Sequence, residues 1–121
     1  MQSQPQLTPE QQQEFSRFQA IQQNLEVIIQ QRTNIESQLK ELEYAVKELE
    51  KTDENAIVYK AIGGIFIKKS QTEVLEKSKE RQELLSIQVK SLSNKEAQLK
   101  KSFETQQAKL KMMLQPVNVQ Q

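Results

Sequence analysis

Carboxylates and amines are the abundant side chains of this sequence whose chemistry could serve catalysis or metal binding. The sequence contains no His and no Cys, which excludes imidazole acid–base catalysis, thiol chemistry and the usual zinc ligand sets. Several Glu residues precede a Lys by four positions, the spacing of ion pairs along one exposed helix face. We therefore expect a solvated charged surface, with neither enzyme activity nor a cofactor. These pairs are Glu36–Lys40, Glu43–Lys47 and Glu96–Lys100.

The glycines and the lysines near them do not indicate a nucleotide or nucleic-acid site. Gly63 and Gly64 lack the Gly-Lys-Ser/Thr continuation of a phosphate-binding loop. Lys60, Lys68 and Lys69 could form a basic patch, but protection of strand edges and solubility explain them better. The net charge of +1 is also small for a protein that binds nucleic acid through a basic field. We expect no nucleic-acid partner.

Hydropathy does not indicate a membrane or secreted protein. No apolar run approaches the ~20 residues that span a bilayer, and residues 1–5 lack the basic and apolar segments of a secretory signal. Apolar residues make up 36% of the chain, which suits a long helix pair, burying one stripe per helix, better than a compact globule. We expect a cytoplasmic protein with no membrane partner.

The longest apolar pattern predicts a first helix over residues 10–52. Thr8 and Gln11 fit an N-terminal capping box, with Pro9 at the first helical position. From Phe18 onward the apolar spacing alternates between three and four residues, and nine of ten seam positions are apolar, as in a coiled coil. The first seam consists of Phe18, Ile21, Leu25, Ile28, Arg32, Ile35, Leu39, Leu42, Val46 and Leu49.

A second seam predicts a helix over residues 71–114, which Ser70 and Glu73 begin with another capping box. If the chain turns back between the helices, they pair antiparallel, and residue numbers that sum to about 124 face each other. Arg32 then lies one turn from Glu96, and we predict that these two buried charges pair and fix the register. The second seam consists of Leu75, Ser78, Gln82, Leu85, Val89, Leu92, Glu96, Leu99, Phe103, Gln106, Leu110 and Met113.

The segment between the helices, residues 56–69, is predicted to form a β-hairpin. Its residues are largely β-branched or aromatic on either side of Gly63–Gly64, a two-residue turn signal of the primed types. Both faces are apolar, and a lone hairpin is marginal in water and has two unpaired edges. We predict that the hairpin assembles an oligomer, with folding back onto its own helices as the alternative. This hairpin surface consists of Ile57, Val58, Tyr59, Ala61, Ile62, Gly63, Gly64, Ile65, Phe66 and Ile67.

Apolar residues also gather near the two chain ends, which antiparallel pairing would bring together. Methionine is common on adaptable binding surfaces, and exposed apolar patches mark sites of protein contact. We predict that this terminal surface holds other proteins. For Phe18 and Met113, with Leu110, a simpler role is to close the last core layers. The terminal surface consists of Leu7, Phe15, Phe18, Met112, Met113, Leu114 and Val117.

The hairpin sequence resembles that of a known family. Residues 58–63 (Val-Tyr-Lys-Ala-Ile-Gly) and 65–68 (Ile-Phe-Ile-Lys), set between two helices, resemble the β-class subunit of prefoldin, particularly the archaeal type. Gly64 stands where relatives often carry a polar residue. The resemblance covers nearly the whole chain and implies a mainly α fold, a long antiparallel two-helix coiled coil joined by one β-hairpin that assembles into an oligomeric β-barrel platform. It implies a single domain, residues 1–121, with flexible ends at 1–9 and 115–121.

The resemblance also implies a function. Such a subunit works in an α2β4 hetero-hexamer of prefoldin α and β subunits, captures unfolded proteins at the coiled-coil tips without ATP, and passes them to a group II chaperonin. The hairpin surface would then assemble the complex, and the terminal surface would contact clients and chaperonin. The alternative is a structural coiled-coil adaptor or tether with one defined protein partner. Protection of unrelated unfolded proteins distinguishes the chaperone from the adaptor.

Overall fold

The computed structural model describes residues 6–115, which form two long helices joined by one antiparallel β-hairpin. This arrangement confirms the expected mainly helical fold. By their internal contacts the described residues fall into two compact units, the hairpin unit (residues 31–92) and the terminal unit (residues 6–30 with 93–115). The elements in chain order are α1 (Pro9–Glu50), β1 (Ile57–Ile62), β2 (Ile65–Ser70) and α2 (Gln71–Leu114).

Both helices begin at the caps that the sequence predicted. The Thr8 amide donates to Oε1 of Gln11 at 2.9 Å, and the Gln11 amide donates to Oγ1 of Thr8 at 3.1 Å, which completes the capping box. At the start of α2, the Glu73 amide donates to Oγ of Ser70 at 3.1 Å. These side chains satisfy amides that have no carbonyl partner inside their own helix, so local sequence fixes both helix starts.

The end of α1 lies two residues before the expected one. α1 ends at Glu50 and not at Thr52, because the Thr52 hydroxyl donates to the Leu49 carbonyl at 2.6 Å and closes the last turn. The Asp53 carboxylate then accepts the Asn55 amide at 3.2 Å. This local turn, in which an Asp side chain replaces a backbone partner, leads the chain into β1.

The predicted seams are the shielded stripes of the two helices. All ten seam positions of α1 and all twelve of α2 are buried or half-buried. The most deeply buried apolar side chains are Val46 and Leu85 in the hairpin unit and Leu110 in the terminal unit. No described side chain is withdrawn completely from solvent, because a helix pair buries only one stripe of each helix.

The hairpin has the turn that its two glycines predict. β1 and β2 pair antiparallel up to the Ile62–Ile65 pair, which flanks the turn. Gly63 and Gly64 have φ angles of 55° and 80°. Both angles lie in the left-handed region that a type I′ turn requires and that residues with a Cβ disfavour. The turn therefore sets the register and decides which side chains share each face of the hairpin.

Candidate functional site

The hairpin surface is apolar on both faces and open to solvent. The register places Ile62, Ile65 and Ile67 on one face and Tyr59 and Phe66 on the other. Phe66 is 74% exposed and Ile65 is 65% exposed, values that would be unfavourable for so many large apolar side chains in a protein that works alone. The exposed members are Ile57, Tyr59, Ala61, Ile62, Gly63, Gly64, Ile65, Phe66 and Ile67, and Val58 is half-buried.

The hairpin does not fold back onto its own helices. Val58 and Lys69 are half-buried, whereas every other residue of the two strands is exposed. Folding back would have shielded one whole face, so the chain does not adopt this alternative. The free strand edges also offer unpaired backbone groups to another chain. The surface therefore has the apolar area and the hydrogen-bonding edges of an assembly site.

Four members of the terminal surface are exposed. Met112 is 77% exposed, and Leu7, Phe15 and Leu114 are exposed as well. Methionine and aromatic side chains adapt to apolar partners of different shape. The arrangement therefore suits contact with apolar segments of other proteins. Val117, the remaining residue predicted to be exposed here, lies outside the described residues.

Phe18 and Met113, also members of the terminal surface, contribute to the helix seam. Both are half-buried. The ring centroids of Phe18 and Phe103 lie 4.8 Å apart, with their planes inclined by 31°, a favourable aromatic contact. Leu110 is buried in the same unit. The simpler role, closing core layers, therefore fits these residues, and client contact through their exposed parts stays a prediction.

Glu14 and Gln106 form a buried polar layer in the terminal unit. The Gln106 amide group donates to Oε2 of Glu14 at 2.6 Å and to the Glu14 carbonyl at 3.0 Å. Nζ of Lys109 lies 3.2 Å from Oε1 of Glu14. Glu14 is 8% exposed, yet the hydrogen bonds from Gln106 and then Lys109 hold the pKa of its carboxyl below the usual value. An ionised, fully partnered carboxylate therefore lies within the seam.

Two further glutamines bridge the helices through backbone carbonyls. In the terminal unit, Nε2 of Gln11 donates to the Met113 carbonyl at 3.2 Å. In the hairpin unit, Nε2 of Gln71 donates to the Leu49 carbonyl at 2.7 Å. Each amide donates to a carbonyl in the last turn of the other helix, where no intrahelical partner exists, and the Leu49 carbonyl also accepts from Thr52. The bridges hold the helix ends together without using apolar side chains.

Sequence reasoning missed Gln11 and Glu14 as seam positions. The spacing of three and four residues continues upstream of Phe18 through both of them. Their polar side chains hid this continuation, because the α1 seam was begun at an apolar residue, Phe18. A search by spacing alone would have found both residues.

The expected ion pairs are present in part. Nζ of Lys100 lies 3.1 Å from Oε2 of Glu96, as predicted. Glu36 instead pairs with Arg32, one turn before it, at 3.1 Å, and not with Lys40. Arg is a stronger partner for a carboxylate than Lys is, because its guanidinium carries more N–H donors than the Lys ammonium does. The pairing of Arg32 with Glu96 stays a prediction.

The described part of the chain carries no grouping typical of a metal site. Among residues 6–115, no three acidic side chains converge into a cluster that could hold a metal ion. Neither helix of that stretch contains a segment long and apolar enough to cross a membrane.

Comparison with known proteins identifies the family. A family model described as prefoldin subunit matches residues 12–116. The chain belongs to the prefoldin family. The prefoldin subunit beta of Archaeoglobus fulgidus is 36% identical over 110 residues, covering 91% of this chain and 95% of that one. The prefoldin subunit beta of Methanococcoides burtonii is 34% identical over 108 residues, covering 89% and 92%.

A solved prefoldin structure has the same fold. The crystal structure of the prefoldin beta subunit from Thermococcus strain KS-1 matches with a TM-score of 0.81 and 25% sequence identity, over 92% of this chain and 97% of that one. The resemblance to the prefoldin β class, inferred from the hairpin motif, is thereby confirmed.

In this prefoldin chain, Glu14→Gln should weaken the terminal unit at neutral pH. The folded-state pKa of Glu14 is depressed, so its stabilisation is present above the unfolded-state pKa and is lost as pH falls through the folded-state pKa. We expect the variant to melt a few degrees below the parent chain at pH 7, and the difference to shrink as acidification protonates Glu14 in the folded chain. Thermal melting followed by circular dichroism, repeated as the pH is lowered from 7, measures the effect.

The matched control for this prediction is Glu104→Gln, which removes an exposed carboxylate from α2. It should leave the melting temperature nearly unchanged at pH 7. Equal shifts for the two variants would mean that the buried hydrogen bonds of Glu14 add nothing to stability.

Proposed function

We propose that this prefoldin chain is an ATP-independent holdase subunit, which captures unfolded proteins on its terminal surface. Membership of the prefoldin family makes it a chaperone subunit, and the proposal concerns how it works. The observation that carries it is that the apolar side chains fall into two groups, one shielded between the helices and one exposed. The seam side chains are shielded, whereas Phe15, Met112 and Leu114 remain exposed. Unfolded proteins expose apolar segments that such side chains can cover.

The hairpin surface assembles the complex in this proposal. Prefoldin subunits act together with other prefoldin subunits, and the finer expectation is an α2β4 hexamer of this β-class chain with a prefoldin α subunit. The support is a hairpin with both faces apolar and both edges unpaired, a structure that is marginal by itself and that added strands would stabilise. The chain would act as one domain in the cytoplasm and deliver its clients to a group II chaperonin, without enzyme activity of its own.

A second candidate is an adaptor or tether that binds one defined protein. The observation in its favour is a set of apolar side chains outside both surfaces. Tyr44, Leu84 and Ile87 are exposed on the helices of the hairpin unit, where a coiled coil needs no apolar residue. A partner protein seated on this part of the helices would cover them.

Suppression of aggregation distinguishes the two candidates. The complex, purified after co-expression with a prefoldin α subunit, is added without ATP to several unrelated, chemically unfolded proteins, and light scattering is recorded after dilution. A holdase should suppress scattering for every client at a near-stoichiometric ratio. Failure with all clients, together with saturable binding of one folded protein, would favour the adaptor.

A further inference from the structure

The charges of the hairpin all have one sign. Lys60, Lys68 and Lys69 lie on the two strands, and residues 55–72 contain no Asp or Glu. The rest of the chain has 14 basic and 16 acidic residues, a net charge of −2, because all 121 residues together carry +1. Positive charge is therefore concentrated on the element proposed to assemble the complex.

The register distributes these lysines over both faces. Val58 opposes Lys69, and Lys60 opposes Ile67, so Lys60 and Lys69 share the face of the three isoleucines. Lys68 opposes Tyr59 and lies on the other face. Whichever face a partner covers, it meets apolar side chains together with positive charge and no carboxylate.

A groove beside β1 is also lined by both apolar and positively charged side chains. Its volume is ≈ 390 Å³, and its apolar lining includes Leu42, Tyr59, Ala61, Ile62 and Val74. The cations Lys60, Lys69, Lys77 and Arg81 line the same groove.

One carboxylate, that of Glu73, lines the groove, and it already forms ion pairs with two lysines. It lies 3.4 Å from Nζ of Lys77 and 4.0 Å from Nζ of Lys69. Lys60 and Arg81 form no ion pair within residues 6–115. The groove therefore retains an excess of positive charge that a bound partner would have to neutralise.

Like charges oppose the packing of this hairpin against a second copy of itself. Bringing two such hairpins face to face or edge to edge places lysines near lysines while the apolar contact removes water, which strengthens the repulsion. A partner that carries carboxylates beside its apolar side chains is attracted to the hairpin, because each lysine gains an ion pair.

We propose that the hairpin lysines and the groove select a partner subunit whose hairpin is acidic, and disfavour pairing of this hairpin with its own copies. The proposal deepens the assembly role given to the hairpin surface and rests on it. In this proposal the apolar area of the hairpin allows assembly, and its charge decides which subunits bind each other.

The test uses a charge-reversed copy of the same chain as the acidic partner. In this copy Lys60, Lys68 and Lys69 are each replaced by Glu, all at strand positions and outside the helix seams. Full-length parent and reversed chains are studied alone and mixed, by native mass spectrometry and sedimentation velocity. We expect the mixture to associate at least about tenfold more tightly than either chain alone at low salt.

Salt and a neutral variant provide the controls. The preference should fall steeply near 1 M sodium chloride, where the Debye length is about 3 Å. A neutral copy with Gln at the three positions should associate with itself more strongly than the parent does. A second reversed chain carries its three changes on α2: Lys79→Glu, Lys90→Glu and Lys101→Glu. Its net charge equals that of the hairpin-reversed chain, and it should show no preference for the parent chain.

Two results would overturn the proposal. One is a mixture that associates no better than the separate chains while the neutral copy does self-associate, which would leave the apolar hairpin as an assembly site without charge selection. The other is equal preference for the helix-reversed set, which would assign the effect to overall charge. The light-scattering experiment tests the client-holding function independently, so the two proposals can fail separately.

Discussion

Replacing both Ile65 and Ile67 with Lys should remove this prefoldin subunit from its complex. The two side chains share one face of the hairpin and are exposed in the single chain, so they add little to its own stability. Part of each side chain is already shielded, so burial of the remainder in an assembly would contribute about 1–2 kcal/mol each. Losing both would weaken association by roughly 10–10³-fold, and burial of two new ammonium groups would add to this loss. Native mass spectrometry should detect monomers or dimers in place of the complex.

The control for the hairpin variant is the pair Leu84→Lys and Ile87→Lys. It makes a similar change at two exposed positions of α2, outside the hairpin. Circular dichroism should give the parent helix content for both variants, because neither alters a seam residue. A hairpin variant that remained in an intact complex would show that assembly does not depend on this surface.

Replacing Phe15, Met112 and Leu114 together with Gln should abolish most client holding while the complex stays intact. These side chains are exposed in the terminal unit, and glutamine is a good helix former that keeps a similar length. The change removes apolar area that an unfolded client could cover. We expect at least about tenfold more complex to be needed for equal suppression of aggregation, a loss of ~1.4 kcal/mol or more in client affinity. Light scattering of diluted unfolded proteins measures it.

The control for this variant carries Gln at Val27, Tyr44 and Leu84. It also removes three exposed apolar side chains from the helices, but none from the terminal surface. Its holding activity should equal that of the parent complex. If the control lost as much activity as the terminal variant, clients would bind the helices at large and not the terminal surface.

Much of the fold follows from local sequence rules. The capping boxes at Thr8 and Ser70 set the helix starts, since their hydrogen bonds form within four residues. Gly63 and Gly64 set the hairpin turn, because positive φ angles favour glycine over residues with a Cβ. The structure shields every seam position that the alternating three- and four-residue spacing predicted, and it adds Gln11 and Glu14 upstream of them.

The polar contacts between the helices could not be predicted in the same way. Gln106 is one of many glutamines in the sequence, and its bonds to Glu14 depend on the register and rotation of two helices far apart in the chain. The same holds for the bond from Gln71 to the Leu49 carbonyl. The seam spacing places Gln106 on the shielded stripe of α2, but no local pattern identifies the group to which its amide donates.

The sequence by itself determined that two capped helices flank a glycine hairpin with apolar faces, because these features depend on neighbours within a few residues. The spacing also placed Phe18 in the seam, and tertiary structure alone decided how much of each apolar side chain the facing helix covers. Phe18 and Phe15 lie three residues apart on α1, yet Phe18 packs on Phe103 and Phe15 is exposed. The cause is the facing helix, which covers one stripe and leaves the rest of α1 open to contact with other chains.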